Sequence, residues 1–176
     1  LERTLFLDCK IFNYILLYIY IIMPKKTRKK NGGSSYTRKN LGNKKQTLQN
    51  FEKEITVYFF EMLLLIKLFH WKTYSYATHK ATDDLYSKFN EHMDKFIEVL
   101  LGKTGMRIDL ITKKQINLYD LSNTSQLINK INEFKSYLVN LNNNKAMKLM
   151  SNYDLLTIRD EILADMNQFL YLLSFK

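Results

Sequence analysis

The chain has 176 residues, a formal net charge of +10, one cysteine, one proline and five glycines. That length suits one domain, and 46% hydrophobic content with 14% aromatic excludes wholesale disorder. A single cysteine excludes a disulfide scaffold and every site built from several thiolates. Pro24, Gly32, Gly33 and Gly42 lie near the N-terminus, and Gly102 and Gly105 lie together mid-chain. Two long stretches therefore hold neither residue, which favours long helices over a turn-rich β protein.

Residues 1–22 carry two charges of each sign and open on Leu1. Their apolar run, Ile11–Ile22, would span about 18 Å as a helix, short of a ~30 Å bilayer core. The expected reading is an upstream read-through before a start at Met23. A hydrophobic leader is the alternative, and membrane attachment is not expected. Residues 23–46 hold nine basic side chains and no acidic one: Lys25, Lys26, Arg28, Lys29, Lys30, Arg38, Lys39, Lys44 and Lys45. Polar, basic and glycine-containing, they are expected to form a flexible arm. Residues 47–176 carry 16 basic and 15 acidic side chains, so the charge excess belongs to the arm.

Four helical stretches follow. The first, 47–71, repeats Phe51, Ile55, Phe59, Met62, Ile66 and Phe69 at helical spacing. Val57, Phe60, Leu64, Leu65 and Leu68 make its other faces apolar too, leaving a thin polar seam through Glu54, Glu61 and Lys67. Such a helix implies burial against a second subunit as well as its own core. The second, 79–101, uses Leu85, Phe89, Phe96 and Leu100, with Gly102 as its expected end. Residues 103–122 form a crossover. The third, 124–141, is capped by Ser122 or Asn123. The fourth, 152–174, opens on a Ser151-x-x-Asp154 capping pattern. Short, long and short connections predict an all-α four-helix bundle with one long crossover between its second and third helices.

The three histidines fall between residues 70 and 92, among acidic residues at helical spacing. His79 and Asp83 are four apart, as are Asp94 and Glu98, and His70 closes the first helix. Imidazole with carboxylates suits iron, manganese or zinc. His79 and Asp94 lie about 22 Å apart along a helix, so one chain cannot bring both pairs to one metal. Two chains packed antiparallel about a two-fold axis can. A ferritin centre inside one bundle needs Glu-x-x-His motifs, and the chain has none. His92, about 160° round the helix from Asp94, reads as structural, and Asp84 as solvated.

His70-Trp71, His79 with Asp83, then Asp94-x-x-x-Glu98 and Gly102 together resemble the signature of the Dps mini-ferritins. The likeness spans residues 47–176, and its specific part is confined to 70–102. Two departures stand out. The gap between His70 and His79 is about three residues shorter than the family's, and Val99 stands where an Arg is common. The resemblance implies a ferritin-like fold and a homo-oligomer, a dodecamer built from two-fold dimers. It implies intersubunit ferroxidase sites, with His70, His79 and Asp83 from one subunit and Asp94 and Glu98 from its mate. Iron, as Fe(II) and Fe(III), would be oxidised there by hydrogen peroxide or O2 and stored, protecting DNA. Trp71 would be a redox aromatic beside the site.

The arm has two readings. It can bind DNA without reading sequence, or it can be a solvated or nucleus-directing tail. Similar Lys/Asn-rich, basic-tailed ferritin-like proteins of large DNA viruses raise an alternative function, non-catalytic nucleic-acid packaging or a particle-forming role with a vestigial metal site. The expected location is intracellular (cytoplasm, nucleoid or nucleus, or virion) rather than secreted.

Overall fold

The computed structural model describes residues 35–110 and 115–175, with side chains from Asn40 onward. The expectations for residues 1–34, including Lys25, Lys26, Arg28, Lys29 and Lys30, lie outside the described residues. The described chain is all-α: α1 (Ser35–Lys72), α2 (Tyr76–Thr104), α3 (Thr124–Asn140) and α4 (Tyr153–Leu172). Two short 3-10 turns, Leu141–Asn143 and Met147–Leu149, lie between α3 and α4.

Each helix buries the stripe its spacing predicts. Phe51, Ile55, Phe59, Met62 and Ile66 of α1 share one core with Leu85, Phe89, Phe96 and Leu100 of α2. Leu127, Ile131, Phe134 and Leu138 of α3 join it, as do Leu155, Ile158, Ile162, Met166 and Phe169 of α4. The Phe59 ring meets Phe89 and Phe96 edge-on, with centroids 5.6 and 5.3 Å apart, the arrangement the ring quadrupoles favour.

Helix directions follow from the contacts. A three-residue turn makes α2 antiparallel to α1. Lys88 bonds Gln168, Lys95 bonds Glu161 and Lys103 pairs with Asp154, so α4 runs antiparallel to α2. The crossover climbs along α1: Lys53 pairs with Asp109, Glu61 accepts from Asn117 and Lys72 pairs with Asp120. The chain then descends through α3, where Tyr137 stacks on Tyr58 and donates to Glu54. Hence α1 and α4 point one way, and α2 and α3 the other.

Three element boundaries differ from expectation. The flexible arm is helical from Ser35, so Arg38, Lys39, Lys44 and Lys45 lie on α1. Nucleating a helix is costly and extending one is not, so good helix formers such as Lys, Arg and Leu prolong α1 past its core. Asn40 to Gln46 are all exposed, and Leu48 is the first buried residue among those whose side chains are described. The second helix continues through Gly102 and ends at Thr104, because Gly105 takes the left-handed conformation (φ 65°) and donates to the Leu101 carbonyl. The cap of α3 agrees with expectation: of the two candidates, Asn123 takes the position and accepts from the Gln126 amide. The Ser151-x-x-Asp154 capping box does not form: Asn152 occupies the cap position without a side-chain bond, and Asp154 pairs with Lys103 at 2.7 Å.

Of the polar seam of α1, Glu61 is buried, whereas Glu54 is exposed and Lys67 half-buried. Glu61, 6% exposed, accepts from the Asn117 backbone and side-chain amides at 3.1 and 2.8 Å and from Tyr119 at 3.4 Å. A chain segment without helix thereby satisfies its donors on a helix carboxylate. Glu61→Ala orphans these donors and is expected to lower stability by about 1–3 kcal/mol in urea unfolding, with Glu61→Gln less affected.

Glu52 is 2% exposed, and its Oε1 has no hydrogen-bond partner. Burial pushes its carboxyl above a free glutamate's 4.5, against a smaller opposing effect of the Thr104 side chain. The folded state therefore holds this proton to higher pH than the unfolded chain. Its stability contribution is full below about pH 4.5 and is lost as pH rises through the folded value. Glu52→Gln should accordingly raise the urea midpoint at pH 8, with the gain vanishing toward pH 4.

Candidate metal centre at the first interhelix turn

Residues 73–75 join α1 to α2. The Thr73 amide still donates to the Phe69 carbonyl at 3.0 Å, and Ser75 caps α2 by accepting from the Thr78 amide. So tight a turn sets His70, in the last turn of α1, against His79, in the first turn of α2. Their rings stack at 3.8 Å between centroids, 24° from parallel.

Each imidazole is held by the other's backbone. His70 Nδ1 lies 3.0 Å from the His79 carbonyl oxygen, and His79 Nδ1 lies 3.0 Å from the His70 carbonyl oxygen. A carbonyl only accepts, so each Nδ1 carries the proton and each lone pair resides on Nε2. Thr82, fully buried, strengthens the arrangement. Its hydroxyl lies 2.8 and 3.0 Å from the Thr78 and His79 carbonyls, and its oxygen is 3.3 Å from His70 Nδ1. Burial pushes the His70 pKa below the ordinary imidazole value, opposed by its bond to the His79 backbone. His70 is thus a neutral base whose free nitrogen, Nε2, lies 3.9 Å from Asp83 Oδ1.

The structure therefore brings His70, His79 and Asp83 together and leaves Asp94 and Glu98 apart. The latter two are exposed on α2, which runs unbroken from Tyr76 to Thr104. Among the described residues no group of three or more His, Cys, Asp or Glu side chains converges as a metal cage. Trp71 is 67% exposed.

His92 has a different setting. Its Nε2 lies 3.0 Å from Asp165 and its Nδ1 3.5 Å from Glu161, both on α4. Lys88 bridges Asp84 and Asp165 in the same network, at 2.9 and 3.6 Å. Asp84 is solvent-exposed as expected, and it also pairs with Lys88 one helical turn away.

Thr82 is the site residue that the acid-and-histidine pattern missed. Its signal was a polar residue on the buried stripe Thr78–Thr82–Leu85–Phe89 of α2. Because Thr82 contacts His70, a centre that takes Co(II) there should lose about 10–100-fold in affinity in Thr82→Val and keep it in Thr82→Ser. Titration followed by cobalt absorbance checks this.

A family model described only as a family of unknown function, DUF5856, matches residues 70–173. The chain belongs to that family. The matched span begins at His70 and takes in the turn, α2, the crossover, α3 and α4. No curated protein and no solved structure matches the chain. Among the described residues, no helix is long and apolar enough to cross a membrane.

Proposed function

We propose that this protein is a Dps-like mini-ferritin, a ferroxidase and iron store whose basic arm holds DNA. The observation that carries the reading is the reciprocal bonding of His70 and His79. It engages Nδ1 of each ring with a carbonyl and leaves Nε2 as the ligand atom, as in histidines held for a metal. The helix directions support a ferritin-like bundle, since α1 and α4 oppose α2 and α3 and a crossover spans the length between.

Fe(II) is the substrate. His70, His79 and Asp83 of one subunit would bind it together with Asp94 and Glu98 of a two-fold mate. Hard carboxylates favour Fe(III) over Fe(II), which assists oxidation by hydrogen peroxide or O2. Assembly is supported by Phe60 and Leu64, 36% and 38% exposed on one face of α1. Lys44 and Lys45, exposed on the helical arm, suit phosphate contacts, and many arms on one particle would multiply weak binding.

Complementation tests the shared site. His70→Ala/His79→Ala subunits and Asp94→Ala/Glu98→Ala subunits should each oxidise Fe(II) no faster than buffer. Co-refolded in equal amounts, they should regain about a quarter of wild-type activity, because half the dimers are mixed and each restores one of two sites. Failure to recover activity, with DNA compaction unchanged throughout, would favour the packaging role on the same helices.

A further inference from the structure

Lys67 lies on the same face of α1 as Phe60, Leu64 and Trp71, since positions 60, 64, 67 and 71 repeat at helical spacing. Its ammonium stands 4.4 Å from the centre of the Tyr86 ring and 5.8 Å from that of Trp71. Both separations are within cation–π range. Trp71 is the chain's one tryptophan, is adjacent in sequence to His70, and is exposed. The indole thus follows a candidate ligand, His70, in sequence, and the phenol lies one helical turn from another, Asp83.

A cation on a ring face is attracted by the quadrupole of the neutral ring. Once the ring loses an electron, the same cation faces a positive charge and is repelled. Such a lysine stabilises the reduced rings and opposes their one-electron oxidation. We propose that Lys67 electrostatically opposes one-electron oxidation of Trp71 and Tyr86, tempering the redox role that the mini-ferritin resemblance implies for Trp71. The biological purpose rests on the ferroxidase reading, whereas the electrostatic effect needs no iron.

The reaction guarded against is simple. Trp71 gives one electron to a radical oxidant, and its indole N–H proton follows. With a peroxyl radical as oxidant, the products are a hydroperoxide and a neutral tryptophanyl radical. A neutral peroxyl radical is the useful probe, because removing a lysine charge does not alter its attraction to the protein.

The test exposes metal-free full-length wild-type, Lys67→Met and Lys67→Arg proteins to peroxyl radicals from a neutral azo initiator. Loss of Trp71 fluorescence gives the rate, peptide mass spectrometry locates the added oxygen, and circular dichroism verifies the fold. Lys67→Met should lose Trp71 about two- to fivefold faster than wild type, the cation–π range for exposed sites. Lys67→Arg, which keeps the charge, should match wild type. Equal rates for wild type and Lys67→Met overturn the proposal, as does a Lys67→Arg protein as sensitive as Lys67→Met. A parallel series with Fe(II) and peroxide separates the two readings. Faster Trp71 loss in Lys67→Met with peroxyl radicals, on a protein that oxidises iron no faster than buffer, upholds Lys67's role and rejects the ferroxidase.

Discussion

Three residues between helices of 38 and 29 residues set the geometry on which the rest depends. So short a connection leaves the two helices little choice but to lie antiparallel and in contact from the turn onward. At the turn itself the backbones come close enough for each imidazole to reach the other's carbonyl. The turn that is about three residues shorter than in the resembled family thus still brings the two histidines together. It does so by stacking them and tying each to the other's main chain. One bond also answers a local need, because the last carbonyls of α1 have no partner in their own helix and His79 supplies a donor to one of them.

The second constraint is the crossover. A segment without helix that runs beside a buried face must satisfy its backbone donors, and Glu61 supplies the acceptor. This changes the meaning of the apolar character of α1. Much of the surface that seemed to demand a second subunit is covered within the chain, by the crossover and by α3. What remains open is narrower: Phe60 and Leu64, with Lys67 and Trp71 continuing the same face toward the histidines. That remaining face thus runs along α1 toward the turn that holds His70 and His79.

Charge is divided along the chain. The body is nearly neutral, and its ion pairs are spent between helices: Lys88, Lys95 and Lys103 of α2 all bond partners on α4, and His92 joins them. Unbalanced positive charge is left to the arm. Its last twelve residues continue α1 for about 18 Å, so the basic groups of that stretch are carried on a helix. A helix holds Lys44 and Lys45 at fixed spacing, and DNA binding by this part would use a shaped surface rather than a loose tail.

The sequence by itself determined the four helices, their buried stripes, the long crossover and the candidate ligands, because helical periodicity and residue chemistry are local properties. It also separated His79 from Asp94, since residue spacing along one helix is fixed by its rise. Tertiary structure decided the rest. Glu61 read only as part of a thin polar seam until the crossover lay across it. Asp154 looked like a helix cap until Lys103 arrived from another helix, and Gly102 looked like a stop although Gly105 adopts the left-handed turn. Thr82 looked like an ordinary helical residue until His70 was set against it. Each of these roles depends on a partner distant in sequence or on which of two near-equivalent residues the packed chain bends at. Spacing alone carries no information about either.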